Sequence, residues 1–123
     1  MVVLLVAVCL ISITAFGASQ VNLKYAFWGT PEQLKNTQDM IAAFEKANPS
    51  IKVQVEVASW GEYWTKLQVQ TAGGAAPDVF LLNAPSFVDY ARKNLLLDLT
   101  PYIERDQVAM NVFPQTLVEL YQR

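Results

Sequence analysis

Three short stretches gather residue types that can hold a small molecule: Trp28-Gly29-Thr30, Ala58-Ser59-Trp60 and Leu82-Asn83-Ala84. An indole offers a flat apolar face, while the Thr30 hydroxyl and the Asn83 amide offer directional hydrogen bonds. A ligand that matches both has an apolar CH face and a hydroxyl edge, which describes a carbohydrate. The alternative is that Trp28 and Trp60 pack in the core or under a loop, the common fate of large aromatic side chains.

Most other chemistries are excluded by composition. The chain contains no histidine, which removes Ser-His-Asp and Cys-His catalysis and any imidazole metal site. Its single cysteine, Cys9, forms neither an internal disulfide nor a thiolate zinc cluster. Nine Lys and Arg against eleven Asp and Glu give a net charge of −2 without a basic run, so there is no footprint for nucleic acid. The glycine-containing stretch Gly73-Gly74-Ala75-Ala76-Pro77-Asp78 follows a helix pattern and precedes a strand pattern, the reverse of a phosphate loop, and it lacks the lysine. Asp78 reads as a turn or capping carboxylate. Glu62 reads as a cap, with no second carboxylate nearby in sequence to make a glycosidase pair. No catalytic residue, metal site or cofactor is called for.

The elements that position these stretches follow from periodicity. Val21, Leu23, Tyr25 and Phe27 alternate with other residues and predict a strand that Gly29 ends. Thr30-Pro31-Glu32-Gln33 predicts a capping box, and the stripe Leu34, Thr37, Ile41, Phe44 and Asn48 predicts a helix stopped by Asn48-Pro49. Ile51, Val53, Val55 and Val57 predict a second strand. Ser59-Trp60-Gly61-Glu62 opens a helix to about Ala72, with Glu62 and Lys66 placed to pair, and Gly73-Gly74 ends it in left-handed backbone. Val79 to Leu82 predicts a short strand buried on both faces. A helix over Ser86 to Lys93 follows, with Asp89 and Lys93 paired and Asn94 left-handed behind it. Thr100-Pro101 is expected to cap a short helical turn, and Pro114 to Tyr121 to start another helix. The fold class is α/β, with β-α-β-α-β-α order and a parallel sheet. In such sheets ligands bind beyond the carboxyl ends of the strands, where the three stretches lie.

Met1 to Ala18 carries no charge and is apolar except for Ser12, Thr14 and Gly17. Residues 1–19 read as a signal peptide, cleaved after Gly17 or Ser19, or as a retained membrane anchor. Cys9 reads as an apolar residue of that segment, because Val8 is too bulky before a lipid-bearing cysteine.

Phe27-Trp28-Gly29-Thr30-Pro31-Glu32, Ala43-Phe44-Glu45-Lys46-Ala47-Asn48-Pro49, Ile51-Lys52-Val53, Trp60-Gly61-Glu62-Tyr63-Trp64-Thr65-Lys66-Leu67, Ala76-Pro77-Asp78-Val79 and Leu97-Asp98-Leu99-Thr100-Pro101-Tyr102-Ile103 occur in an order and spacing that resemble a known family. It is that of the extracellular solute-binding proteins of bacterial ABC importers, in the sugar-binding branch that includes maltose-binding protein. The resemblance covers about Val21 to Arg105. It implies a periplasmic-binding-protein-like fold of type II and a two-lobed, hinge-closing binder, monomeric at full length. Such a binder is exported to the periplasm or the outer face of the cytoplasmic membrane and delivers a carbohydrate to ABC permease subunits. It also implies ligand contacts from Trp28, Thr30, Trp60 and Asn83, and from Trp64, whose helical position equally suits the core. Asn94 stands where the family has glycine. On this reading residues 20–123 are an incomplete amino-terminal lobe, without the second lobe, hinge strands and returning strand. A competing reading is a membrane-anchored α/β interaction domain without ligand binding. An exported hydrolase fragment has the least behind it.

Overall fold

The computed structural model describes residues 19–122. The segment read as a signal or anchor, up to Ala18 and including Cys9, lies outside the described residues. Among those described, no helix is long and apolar enough to cross a membrane.

The elements run β1 (Val21–Trp28), α1 (Pro31–Ala47), β2 (Ile51–Ala58), α2 (Trp60–Ala72), β3 (Val79–Phe80), α3 (Ala84–Arg92), α4 (Thr100–Arg105), a short 3-10 turn (Met110–Val112) and α5 (Gln115–Glu119). The strands form one parallel sheet in the order β2-β1-β3. The β1–β2 ladder is in register from Val21 opposite Ile51 to Trp28 opposite Ala58, while β3 sets Val79 opposite Tyr25 and Phe80 opposite Ala26. The chain steps from β1 to β2 in one direction and from β2 to β3 in the other. Right-handed crossovers then place α1 and α2 on opposite faces of the sheet.

Alternation along β1 serves both faces. Ala26 and Trp28 point to the α2 side, where Tyr63, Leu67 and Tyr90 join Ala26 in the core and Ala58, Phe80, Leu82 and Leu96 pack around it. Phe27 is buried outside that cluster and stacks on Tyr25, 5.6 Å between ring centroids. On α1, the predicted stripe Leu34, Thr37, Ile41 and Asn48 is half-buried and Phe44 is more exposed. Leu67, at 1% exposure, is the most enclosed side chain. The last third of the chain leaves Leu97, Leu99, Val112, Phe113, Leu117 and Leu120 open to solvent.

The two capping boxes form where the sequence places them. Thr30 Oγ1 accepts from the Gln33 N–H at 3.3 Å, and Gln33 Oε1 accepts from the Thr30 N–H at 2.8 Å. Glu62 takes the Ser59 N–H and hydroxyl, the latter at 2.6 Å. Gly74 and Asn94 adopt φ of 68° and 54°, left-handed as expected. Two carboxylates tie elements to strand backbone. Glu45 of α1 accepts from Val53 N–H at 2.8 Å, and Asp78 accepts from Lys24 N–H at 2.8 Å, one residue before the β1–β3 pairing begins. Asp78 therefore extends that ladder with its side chain, a structural use.

Several expectations need correction. The third strand is not buried on both faces. It is two residues long, with Leu81 N–H still reaching Ala26 O, and Val79 and Leu81 are 51% and 38% exposed because β3 is paired only with β1. Lys66 pairs with Glu56 of β2 at 2.7 Å instead of Glu62, since Glu62 is turned back onto Ser59. The expected Asp89–Lys93 pair is not among the ion pairs of the described residues. The helix there also begins earlier, at Ala84, with Asn83 as its cap. Thr100 does not cap α4 but is its first residue, because Asp98 Oδ1 accepts the Thr100 N–H and Leu99 takes the cap position.

Candidate functional site

The β1–β2 register decides where the aromatic residues meet. Trp28 closes β1 opposite Ala58, the last residue of β2, and α2 starts two residues later with Trp60. Trp60 is thereby delivered to the side of Trp28. Their rings meet edge to face at 4.9 Å, with 86° between planes. One turn on, Trp64 lies 5.4 Å from Trp28 and 5.3 Å from Trp60, the latter at 80°. All three tryptophans of the chain thus form one cluster beyond the carboxyl ends of the strands.

Gly29 leaves room for the Phe27 ring, which lies outside this cluster. Its N–H continues the ladder to Ala58 O at 3.1 Å, and a Cβ there would meet the Phe27 ring at 2.6 Å, closer than real contacts allow. Tyr63 supports the cluster from below. It is 3% exposed, packs edge-on against Trp28 and Trp64, and donates its hydroxyl to Leu81 O at 2.7 Å, tying α2 to β3. Burial raises its pKa well above the ordinary phenol range, so it remains a neutral donor.

Exposure separates the three indoles. Trp60 is 53% exposed, whereas Trp28 and Trp64 are half-buried. Trp28 is surrounded by Trp60, Tyr63 and Trp64 and is the hub of the cluster. Trp60 and Trp64 also line a groove of about 560 Å³ between α2 and α3, together with Asn83. Asn83 Oδ1 accepts from the Ser86 N–H at 3.0 Å, which caps α3 and leaves its amide nitrogen unused by the cap. Thr30 is exposed at the start of α1 and does not line the groove. The structure therefore brings Trp60, Trp64 and Asn83 to one concavity, sets Trp28 behind them and keeps Thr30 apart.

Sequence reasoning missed Tyr63, Gln68, Asp89 and Lys93, of which the last three line the groove. A signal was present for two of them. Trp60, Trp64 and Gln68 recur every four residues and make one stripe of α2, with Tyr63 on its flank. Asp89 and Lys93 sit one turn apart on α3 but were assigned to each other. Among the described residues no group of acidic, histidine or cysteine side chains is placed to hold a metal ion. The arrangement can bind by stacking and hydrogen bonding.

A family model described as bacterial extracellular solute-binding protein matches residues 28–119. Among solved structures, an ABC substrate-binding protein from Listeria monocytogenes, in complex with cycloalternan, is 38% identical with a TM-score of 0.78 over 85% of this chain and 27% of that one. A periplasmic solute-binding protein from Pectobacterium atrosepticum is 28% identical, with a TM-score of 0.76 over 85% of this chain and 25% of that one. A periplasmic oligogalacturonide-binding protein from Yersinia enterocolitica, in complex with saturated digalacturonic acid, is 25% identical, with a TM-score of 0.73 over 82% of this chain and 25% of that one. The chain spans about a quarter of the length of these structures. Since the family match takes in every element from the end of β1 to α5, this chain has the periplasmic-binding fold of type II and belongs to the bacterial extracellular solute-binding protein family.

Proposed function

We propose that this chain supplies sugar-binding residues of an exported solute-binding protein that delivers a carbohydrate to an ABC permease. The observation that carries the reading is the half-exposed Trp60 indole, propped by Trp28 and Trp64 at the strand ends, beside the amide of Asn83. An apolar plane next to hydrogen-bond groups suits a pyranose, whose faces and edges differ in the same way. Two sugar-bound structures similar to this chain support the same class of ligand.

In a two-lobed binder these residues form one wall of the cleft. One wall leaves the stacking ring half in water, so the chain alone binds sugar no tighter than about 1 mM, and a closed cleft reaches the micromolar range. Indole fluorescence, titrated with mono- and oligosaccharides, tests the reading. A saccharide-dependent change that Trp60→Ala abolishes supports it. Unchanged binding in Trp60→Ala, or no response to any saccharide, overturns it.

Export is part of the proposal. The chain is processed near Ala18 or Gln20, and intact-mass measurement of exported material reads the new amino terminus. Recovery of the chain in membranes with Met1 retained favours the anchor.

A further inference from the structure

We propose that the outer edge of β2 is a strand-pairing surface for β2 of a second copy of this chain, and that Glu45 and Lys52 together hold it shut.

The edge follows from strand order. β2 pairs with β1 alone in the order β2-β1-β3, so its other side faces no strand of the described residues. Val21 N–H bonds to Ser50 O and Gly29 N–H to Ala58 O, and the register between these ends is unbroken. The even-numbered residues of β2 therefore turn their N–H and C=O groups towards β1. Ile51, Val53, Val55 and Val57 turn theirs outward. Such a row is a ready template for another strand.

Neighbouring elements fill part of the row. Asn48 O takes the Ile51 N–H at 2.9 Å, and Glu45 Oε1 takes the Val53 N–H at 2.8 Å. At the far end Glu62 accepts from the Ser59 N–H at 3.3 Å. Among the described residues, the outward N–H groups of Val55 and Val57 have no acceptor.

Lys52 holds Glu45 in place. Alternation puts the Lys52 side chain on the α2 side of the sheet, whereas Glu45 belongs to α1 on the opposite face. Their ion pair, at 2.8 Å, therefore passes around the edge of β2. One oxygen of the carboxylate takes the Val53 N–H and the other takes the lysine, which closes a clasp over Val53. Charged side chains laid across an edge oppose edge-to-edge pairing.

Register decides what the clasp prevents. A two-fold axis through Val55 sets Val55 opposite itself, and Val53 of one copy opposite Val57 of the other. These residues all face outward, so each antiparallel pair exchanges both of its N–H···O=C bonds. With the Val53 N–H occupied in each copy, both Val53–Val57 pairs are spoiled and the Val55 pair stands alone. Opening the clasp restores the full run.

Sedimentation velocity and amide hydrogen exchange of the full chain test this. In the unaltered chain the Val53 amide should exchange slowly and the Val55 and Val57 amides fast. Glu45→Ala should raise the self-association constant roughly tenfold or more and slow exchange at Val55 and Val57. Glu45→Gln keeps an acceptor for Val53 and should stay close to the unaltered chain, while Lys52→Ala should associate more than it does. An edge strand tolerates proline at an outward N–H, so Val55→Pro added to Glu45→Ala should return association to its original level. Far-ultraviolet circular dichroism checks that each variant keeps its helices and sheet. If Glu45→Ala associates no more than the unaltered chain, or if Val55→Pro fails to reverse the gain, the edge is not the pairing surface. If Lys52→Ala changes neither association nor Val53 exchange, the clasp is wrong. Two results on the unaltered chain also overturn the proposal without any variant. A Val53 amide as fast as that of Val55 means the clasp is open, and slow Val55 and Val57 amides in the monomer mean other residues already cover the edge.

Discussion

The indole of Trp28 meets the indole of Trp60 edge to face, 4.9 Å between centroids and 86° between planes. Trp28 is the last residue of β1 and Trp60 the first of α2, so the contact joins the central strand to the helix that covers it. Edge-to-face geometry directs a ring's positive rim at its neighbour's negative face, and each such pair adds about 0.5–1.5 kcal/mol beyond buried area. Trp28 makes three aromatic contacts, so its place in the proposed site is to orient the rings that face the groove.

Substitutions should divide along that line. Trp60→Ala removes a half-exposed ring and should lower stability by less than about 1 kcal/mol, while weakening sugar binding by about 1–3 kcal/mol, the range for aromatic stacking on nucleobases. Trp28→Ala opens a hole beneath both remaining indoles. It should cost about 2–3 kcal/mol of stability and weaken binding as well. Thermal melts and saccharide titrations of the two variants provide the comparison. Equal stability losses would remove the distinction between hub and contact ring.

Local signals were legible in the sequence. The Thr30–Gln33 box, the α2 boundaries at Trp60 and Ala72, the left-handed Asn94 and the alternation of β1 and β2 follow from chemistry within a few residues of chain. What failed depended on neighbours in space. Val79 to Leu82 carries the apolar run of a central strand, yet strand order puts β3 at the edge. Lys66 has Glu62 one turn away, but Glu56 reaches it from β2 beneath the helix, and Glu62 prefers Ser59. For the candidate site, strand ends pointed to Trp60 and Asn83, which line the groove, but nothing local showed Trp28 enclosed or Thr30 set apart.

Glu56 predicts a response to acid. Its pKa is lowered chiefly by the hydrogen bond from Lys66, then by the one from Gln70, against a smaller desolvation that raises it. A carboxylate whose folded pKa lies below its ordinary value of 4.5 contributes stability that is fully present above that value. The contribution is lost as pH falls through the folded pKa. The melting temperature should therefore drop as pH falls below about 4.5, and the drop should be shallower in Glu56→Gln. Glu45, lowered by Lys52 and the Val53 N–H, adds to the same trend. An identical pH profile in Glu56→Gln would show that this network is without consequence for folding.

Asp78 should matter through the backbone of β1. Its Oδ2 is the acceptor for Lys24 N–H, and Asp78→Ala leaves that donor to water, at a cost of about 1 kcal/mol. Asp78→Asn keeps an oxygen in place and should recover most of the loss. Amide hydrogen exchange at Lys24 is the direct readout: fast in Asp78→Ala, slower in Asp78→Asn. Unchanged protection in the alanine variant would show that the bond contributes nothing.

Asn83 has two uses that can be separated by chemistry. Its Oδ1 caps α3 through Ser86 N–H at 3.0 Å, while its amide nitrogen is not needed for the cap. Asn83→Asp retains a capping oxygen, and an anion at a helix start is favourable, so stability should hold within about 0.5 kcal/mol. The same change removes an N–H donor at the head of the groove and places a negative charge beside the groove-facing indoles. Saccharide affinity should fall roughly threefold to tenfold, about 0.6–1.4 kcal/mol. Asn83→Ala removes both functions and should lose about 1 kcal/mol of stability in addition. Melting curves of the two variants next to their titrations separate cap from contact. If Asn83→Asp binds sugar as well as the unaltered chain, Asn83 is a structural cap alone and leaves the candidate site.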